Sequence, residues 1–419
     1  MSETPDGPST LFARLGPGIL FAATAIGVSH LVQSTRAGAM YGFGMLGLIL
    51  VTCFLKYPSL LFGTRYAAAT GESLLENYRR QGLWALVLYT MLLLYSMWFI
   101  LAAVTITTTG IAQALLESGL DLHLSTLTVA ALIMACGVVL LLAGGYRWLE
   151  SLAKWLMLTL AVALLLVTGL AIPDINWSFE LFALPTFNVS VILFVIALAG
   201  WMPIPVDAAV VTSTWTATRA RARGGRISLR DSNFDFNVGY VGAVLTALCF
   251  LALGTAVMHA QGVAPELAAG PFARQVITLF TSQIGEWSFY LIGVAALLTM
   301  FSTVITVLDG SPRQIQFILR SHTRFGDAAW VYPSILVIFT VGALVVLKFF
   351  MTDFGTFIDF VTSLGFLTAP LIVFLNHRAI LSDNVDLGYR PGRVLQAWSI
   401  CGGALITGVS CTYFYLRLM

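Results

Sequence analysis

Long apolar stretches separated by short polar segments occupy almost the whole chain. A helix needs about 20 apolar residues to cross the hydrocarbon core of a bilayer. Hydropathy read in windows of about 19 residues therefore predicts eleven transmembrane helices. They run over residues 17–43, 45–67, 83–114, 123–143, 149–172, 188–215, 237–259, 286–311, 329–349, 355–376 and 395–416. The pattern indicates an all-α integral membrane protein that forms one transmembrane domain.

The sixth span carries a break in its middle, where residues 199–207 read AGWMPIPVD. A residue that precedes proline is driven out of the α-helical region, so Met202 and Ile204 must leave the helix. The two prolines also lack N–H groups and leave backbone carbonyls unpaired. Such backbone is tolerated at membrane depth only inside a protein or beside a water-filled cavity, and secondary transporters build substrate sites from it. The residues placed around a substrate are Gly200, Trp201, Met202 and Asp207.

The first span is interrupted at a corresponding place, Gly27-Val28-Ser29-His30. Interrupted segments at matching positions of two halves point to a transport site. We therefore expect two five-helix repeats of opposite topology, at about 17–172 and 188–376, with an additional helix at about 395–416. The candidate substrate-binding residues of the first span are Gly27, Ser29, His30 and Gln33.

Composition supports a membrane protein and excludes several other classes. Hydrophobic residues make up 58% of the chain and charged residues 10%, whereas soluble domains carry about 25% charge. The net charge of +2 gives no indication of nucleic-acid binding. The five cysteines all lie in apolar spans without metal-binding spacing. Because no ATPase, cofactor or catalytic motif is recognisable, we expect neither an enzyme nor a primary pump.

Basic residues predict the orientation, because cytoplasmic loops are enriched in lysine and arginine. With the N-terminus in the cytoplasm, the inner connections carry Arg14, Arg65, Arg79, Arg80, Arg147, Arg219, Arg221, Arg223, Arg226, Arg230, Arg313, Arg320, Arg324, Arg378, Arg390 and Arg393. The outer side carries Arg274, Lys348 and Arg417. We expect a multi-pass protein of the cell membrane with a cytoplasmic N-terminus and an extracytoplasmic C-terminus.

Several segments resemble one transporter family. GPG followed by an interrupted helix and AGAMYGFGMLGL is similar to the first span of the NRAMP (natural resistance-associated macrophage protein) divalent-metal/proton symporters. YAAATGESLLE after the second span, GGYRWLES before the fifth and TSLGFLTAPLIVF in the tenth resemble the corresponding segments of that family. The resemblance implies the leucine-transporter (LeuT) fold with inverted repeats, alternating access and coupling to protons.

The metal-binding motif of that family is altered here. The family carries Asp-Pro-Gly-Asn at the first break, where this chain has Gly27 to His30. In the sixth span the family carries Met-Pro-His, and two alignments are possible. The motif corresponds either to Met202-Pro203-Ile204 or to residues 205–207. The second alignment, counted back from Ser213 and Arg219, replaces the methionine by Pro205 and puts Asp207 at the histidine. We favour the second register because it keeps the later spacing. The glutamine of the family's tenth helix corresponds to Asp359.

The remaining donors are mostly oxygen atoms, which suit hard cations rather than soft transition metals. We therefore expect a hydrated dication such as Mg²⁺ as substrate, and weak or no transport of Mn²⁺, Fe²⁺ or Cd²⁺. A small non-metal solute (bicarbonate, an amino acid or another small organic ion) and a non-transporting membrane sensor remain open alternatives. The identity of any metal ligands stays undetermined.

Charges within spans are functional candidates, because they are costly in a bilayer. The candidate proton-coupling residues are Asp207, Asp359, His30 and Lys56. Three of them also have a plainer interpretation. Asp207 is placed to cap the second half-helix, His30 to pack with a hydrogen bond, and Lys56 to pair with an acid.

Overall fold

The computed structural model describes residues 18, 21–22, 25–144, 146–222, 224, 226–324 and 326–418. This part of the chain is helical and contains no β-strand. Its α-helices are α1 (Thr35–Tyr41), α2 (Leu46–Thr70), α3 (Leu74–Gln81), α4 (Leu83–Leu120), α5 (Thr126–Leu142), α6 (Tyr146–Ala171), α7 (Val189–Trp201), α8 (Ala208–Ala222), α9 (Leu229–Leu253), α10 (Ala269–Ile284), α11 (Phe289–His322), α12 (Val331–Phe350), α13 (Phe354–Ile380) and α14 (Arg393–Leu418).

Helices of membrane-spanning length confirm the all-α membrane class. Seven helical runs among the described residues are long and apolar enough to cross a bilayer. They are Val28–Thr70, Leu83–Leu120, Leu229–Gln261, Glu286–Ser321, Val331–Phe350, Phe354–Ile380 and Arg393–Tyr413. Three shorter apolar helices are Thr126–Leu142, Leu158–Ala171 and Val189–Trp201. Every predicted span thus overlaps helix, while the count of eleven crossings and the division into two inverted repeats stay predictions.

Two helices lie between the predicted spans, α3 and α10. Helix α3 is only 8 residues long, and a capping box starts it: the amide of Glu76 donates to the Ser73 hydroxyl while the Glu76 carboxylate accepts from the Ser73 amide. Helix α10 has 16 residues and alternates apolar and polar faces. A 19-residue hydropathy window averages over such amphipathic helices and misses them.

The sixth span breaks as predicted. Helix α7 ends at Trp201 and α8 begins at Ala208, and the residues between them are not helical. The two half-helices pack against different partners, α7 along α13 and α8 along α2. Close approach of α7 to α13 requires Gly200, because a Cβ atom there would lie 1.9 Å from the carbonyl oxygen of Thr362.

The first span breaks earlier than the sequence predicted. A turn at Ile26 and Gly27 is followed at once by a fully buried π-helical segment, Val28–Ser34, which leads into α1. The expected interruption at 27–30 is therefore correct for Gly27 and wrong for the other three residues, which belong to the π-helix. His30 lies within this π-helix and is fully buried.

Candidate functional site

A cavity of about 130 Å³ lies between the two breaks. Helices α4 and α11 form its opposite wall. Its polar lining consists of Ser29, Asp207, Thr212, Thr303, Thr306, Ser311 and Gln314, and its aromatic lining of Tyr89, Trp201 and Trp215. A cavity of this volume accommodates several water molecules or a small organic ion. Both candidate substrate classes therefore fit by size.

The cavity extends from the breaks toward one end of the molecule. Its lining follows α8 from Ala208 to Trp215, and the same helix continues to Arg219 and Arg221 in its last turn. On α11 the lining reaches Gln314. The cavity thus runs toward the arginine-rich end, which the orientation prediction places in the cytoplasm.

Asp207 is the one carboxylate among the described residues that line this cavity. It lies in the turn that begins α8, where its carbonyl oxygen accepts from the amide of Val210 at 2.9 Å. The side chain therefore combines a helix-capping position with exposure to the cavity, so both interpretations of this residue find support in its surroundings.

Ser29 joins the two breaks, and His30 points away from the cavity. The Ser29 hydroxyl lies 3.2 Å from the carbonyl oxygen of Pro203 and 2.9 Å from Nδ1 of His30. The other ring nitrogen of His30, Nε2, donates to the carbonyl of Ala243 on α9 at 2.7 Å. Both ring nitrogens are thus engaged inside the protein, and His30 is fully buried. This geometry supports the packing interpretation of His30.

Asp359 and Gln33 belong to a polar cluster that lies outside the cavity lining. Arg36 binds Asp359 with two hydrogen bonds, Nη1 to Oδ1 at 2.6 Å and Nη2 to Oδ2 at 2.9 Å. The Gln33 amide donates to Asp359 at 2.9 Å and to the Thr362 hydroxyl at 3.0 Å. Arg36 also lies over the ring of Phe194, 5.3 Å from its centroid. The cluster ties α1 to α13 and α7, and none of these side chains lines the cavity.

Lys56, Gly200 and Met202 lie behind the cavity wall. The ammonium of Lys56 donates to the carbonyl oxygens of Ala199 and Gly200, both at 2.6 Å, at the end of α7. Met202 is fully buried and does not line the cavity. Lys56 pairs with backbone carbonyls here rather than with the acid that its plainer interpretation expected.

The structure therefore brings four of the nine predicted substrate-binding residues to the cavity: Gly27, Ser29, Trp201 and Asp207. It places His30, Gln33, Gly200, Met202 and Asp359 elsewhere. Sequence reasoning missed the lining on α4 and α11, including Tyr89 and Gln314, whose side chains hydrogen-bond to each other. These helices are unbroken, so only their few polar residues within apolar spans offered a signal. Within the described part of the chain, no three His, Cys, Asp or Glu side chains are grouped as a metal site would need.

Comparison with known proteins identifies the family. The chain is 32% identical to an uncharacterized protein of Pasteurella multocida over 88% of this chain and 85% of that protein. It is 21% identical to a divalent metal cation transporter, MntH, of Pediococcus pentosaceus, over 89% and 86% of the two chains.

Solved structures of low identity share the fold. A mutant of the Eremococcus coleocola manganese transporter is similar with a TM-score of 0.61 at 15% identity, over 98% of this chain and 88% of that one. The amino-acid-bound protein MhsT, in complex with L-phenylalanine, gives 0.65 at 15% identity, over 96% and 98%. These likenesses confirm the predicted LeuT fold. The natural resistance-associated macrophage protein-like (Nramp) family profile matches residues 18–416, and the chain belongs to the Nramp family.

Proposed function

We propose that this Nramp protein is a secondary active transporter that moves a small cation, with a hydrated hard dication such as Mg²⁺ as its first candidate substrate. The observation that carries the proposal is the position of Asp207, a carboxylate at the break of the sixth span that faces the cavity between the two breaks. A carboxylate in that position attracts a cation at a point where both half-helices of the span meet.

The donor atoms around the cavity support a hard cation. Apart from the carboxylate they are hydroxyl and amide oxygens, contributed by residues such as Ser29, Thr303 and Gln314. The thioether of Met202 and the imidazole of His30, which soft metals prefer, are turned away or already engaged. Mg²⁺ keeps several waters and needs one or two carboxylates, which matches one acid in a cavity with room for water.

Proton coupling is proposed for the same carboxylate. The chain contains no ATP-binding motif, so the energy for uphill transport must come from an ion gradient. If Asp207 binds the substrate cation in one half of the cycle and a proton in the other, one site couples the two fluxes. In this proposal Asp359 closes the transporter through Arg36, while His30 and Lys56 hold the breaks in shape. Relatives named as a divalent metal cation transporter and a manganese transporter support a metal substrate.

A small organic cation or other non-metal solute is the second candidate. The aromatic side chains of Tyr89, Trp201 and Trp215 line the same cavity as Asp207. Aromatic faces bind organic cations, and one carboxylate balances one positive charge. MhsT, which shares the fold, binds the organic solute L-phenylalanine, and this supports a non-metal solute as an alternative.

Flux into proteoliposomes tests the proposal. Vesicles containing the wild-type protein and dyes for Mg²⁺ and pH are exposed to Mg²⁺, Mn²⁺, Ca²⁺ or Cd²⁺, and separately to bicarbonate, amino acids and small amines. We expect saturable Mg²⁺ entry with proton movement, and loss of both in the Asp207→Asn variant. Asp386→Asn, which removes half of an exposed ion pair with Arg226, is the matched control and should transport normally.

Each other outcome replaces the proposal with a specific alternative. Entry of an organic solute without Mg²⁺ entry would establish the second candidate. Cd²⁺ entry exceeding Mg²⁺ entry would mean that sulfur or nitrogen ligands reach the substrate. A protein that binds Mg²⁺ but moves no solute would be a sensor.

A further inference from the structure

A buried lysine side chain binds backbone carbonyls at the break of the sixth span. Lys56 comes from α2 and is fully buried, and its Nζ lies 2.6 Å from each of the carbonyl oxygens of Ala199 and Gly200. Within the described part of the chain, no carboxylate lies within ion-pair distance of this nitrogen. The ammonium is therefore held by backbone oxygens.

The sequence explains why these two carbonyls need a hydrogen-bond donor from outside their own helix. In an α-helix the carbonyl of residue 199 would accept from the amide of residue 203, but residue 203 is proline and has no N–H. The carbonyl of residue 200 loses its donor because the helix ends at Trp201. Carbonyls at a helix C-terminus also carry the negative end of the helix dipole, so they attract a positive charge.

Unwound carbonyls and the C-terminal ends of half-helices are where secondary transporters of this architecture coordinate small cations. In this chain the same kind of position holds the ammonium of Lys56. We propose that Lys56 is a tethered cation, which takes at the end of α7 the place of a free monovalent ion. The break then keeps its shape without Na⁺ or K⁺, and the carbonyls of Ala199 and Gly200 are not available to the transported substrate.

Thermal unfolding of the purified protein tests this without knowledge of the substrate. Wild type, Lys56→Ala and Lys56→Gln are unfolded in choline chloride, and then with choline replaced by Na⁺, K⁺ or methylammonium at constant ionic strength. We expect Lys56→Ala to have a lower Tm than wild type in choline. Its Tm should rise with a saturable dependence on Na⁺ or methylammonium, while the wild-type Tm stays constant across the salts. Lys348→Ala, which removes an exposed lysine on α12, should behave as wild type.

The Gln variant separates charge from hydrogen bonding. Its amide still donates two N–H groups but carries no charge. A Gln variant as stable as wild type, together with an Ala variant that no cation stabilises, would reduce Lys56 to a hydrogen-bond donor and overturn the proposal. If Lys56→Ala cannot be purified, Lys56→Ser takes its place, because serine leaves the same space and adds one hydroxyl. Absence of a cation-dependent Tm in that variant would equally refute the tethered cation.

Discussion

We predict that the ion pair between Arg36 and Asp359 stabilises the closed state of the transporter. Neither side chain of this pair lines the cavity, and the pair links α1 to α13. In the proposed function it holds the transporter closed on the side opposite to the arginine-rich end. We expect Asp359→Asn to weaken this closure while leaving the cavity intact. The neutral variant keeps one carbonyl acceptor for Arg36 and loses the charge and one of the two parallel hydrogen bonds.

The size of the effect follows from the burial of the pair. The Arg36 side chain is 10% exposed and the Asp359 side chain 26%. Breaking a fully buried pair costs about 3–5 kcal/mol, whereas an exposed pair is worth about 0–1 kcal/mol. For this intermediate case, with Gln33 still accepting from Arg36 at 3.0 Å, we expect about 2 kcal/mol. At about 1.4 kcal/mol per factor of ten, that shifts the equilibrium toward the open state roughly 30-fold.

Accessibility of a cysteine in the cavity reports this shift. Ile100 lines the cavity on α4, and Ile100→Cys provides the reporter in a background without the native cysteines. A membrane-impermeant thiol reagent is added on the face opposite to the segment 219–230. We expect labelling to be roughly 30-fold faster with Asp359→Asn, by the same free-energy argument. The control Asp386→Asn should leave the rate unchanged.

An unchanged labelling rate in the Asp359 variant would show that the pair does not hold this side closed. Equal acceleration by Asp386→Asn would show that the loss of any acidic group loosens the protein. In either case the closure of the transporter would have to be assigned to the apolar packing between α7 and α13 instead.

Three further changes test the site, the packing and the orientation. Asp207→Asn should lower the Mg²⁺ flux into proteoliposomes about 1,000-fold or more, because two unit charges about 4 Å apart attract by about 4 kcal/mol at an effective dielectric constant near 20, and a dication is attracted more strongly; normal flux would make Asp207 a helix cap only. Gly200→Ala should destabilise the protein by about 1–3 kcal/mol or more in thermal unfolding, since its Cβ meets the carbonyl oxygen of Thr362. Gly408→Ala, with open space around it, should be neutral, and similar Tm losses for both would refute the close packing. Ala222→Cys should resist impermeant thiol reagents in intact cells, and ready labelling would reverse the orientation.

Local chemistry explains why the sixth break could be predicted from the sequence. Proline removes a donor and constrains its predecessor wherever it occurs, so the end of α7 and the position of Asp207 just after the break follow from a few adjacent residues. The cavity wall on α4 and α11 could not be derived in this way. Which face of a regular helix turns toward the breaks depends on packing between distant segments, and apolar spans show little contrast between faces.

The conformation of the first break could not be predicted from the sequence either. The sequence marks Gly27 as a flexible point, but it does not distinguish an unwound stretch from a π-helical turn. Within the π-helix Val28–Ser34, His30 binds the carbonyl of Ala243 and Gln33 binds Asp359; Arg36, in the following helix α1, also binds Asp359. Arg36 and Asp359 both lie within predicted spans, but the sequence does not show that they meet. Polar residues within spans can be picked out from the sequence as candidates, whereas their partners required the three-dimensional arrangement.

The distribution of charge around the breaks constrains the selectivity of this transporter. Lys56 is held by the end of α7, and Asp359 is neutralised by Arg36, so among the described residues Asp207 is the acid that remains for the cavity. One carboxylate cannot balance a bare dication, and a dication must therefore keep part of its water shell in a cavity of about 130 Å³. Mn²⁺ and Mg²⁺ both accept carboxylate and water oxygens, and a site distinguishes between them when a softer ligand reaches the metal. Met202 and His30 do not line the cavity. We therefore expect added Mn²⁺ to inhibit Mg²⁺ flux no more strongly than the same concentration of added Mg²⁺ does.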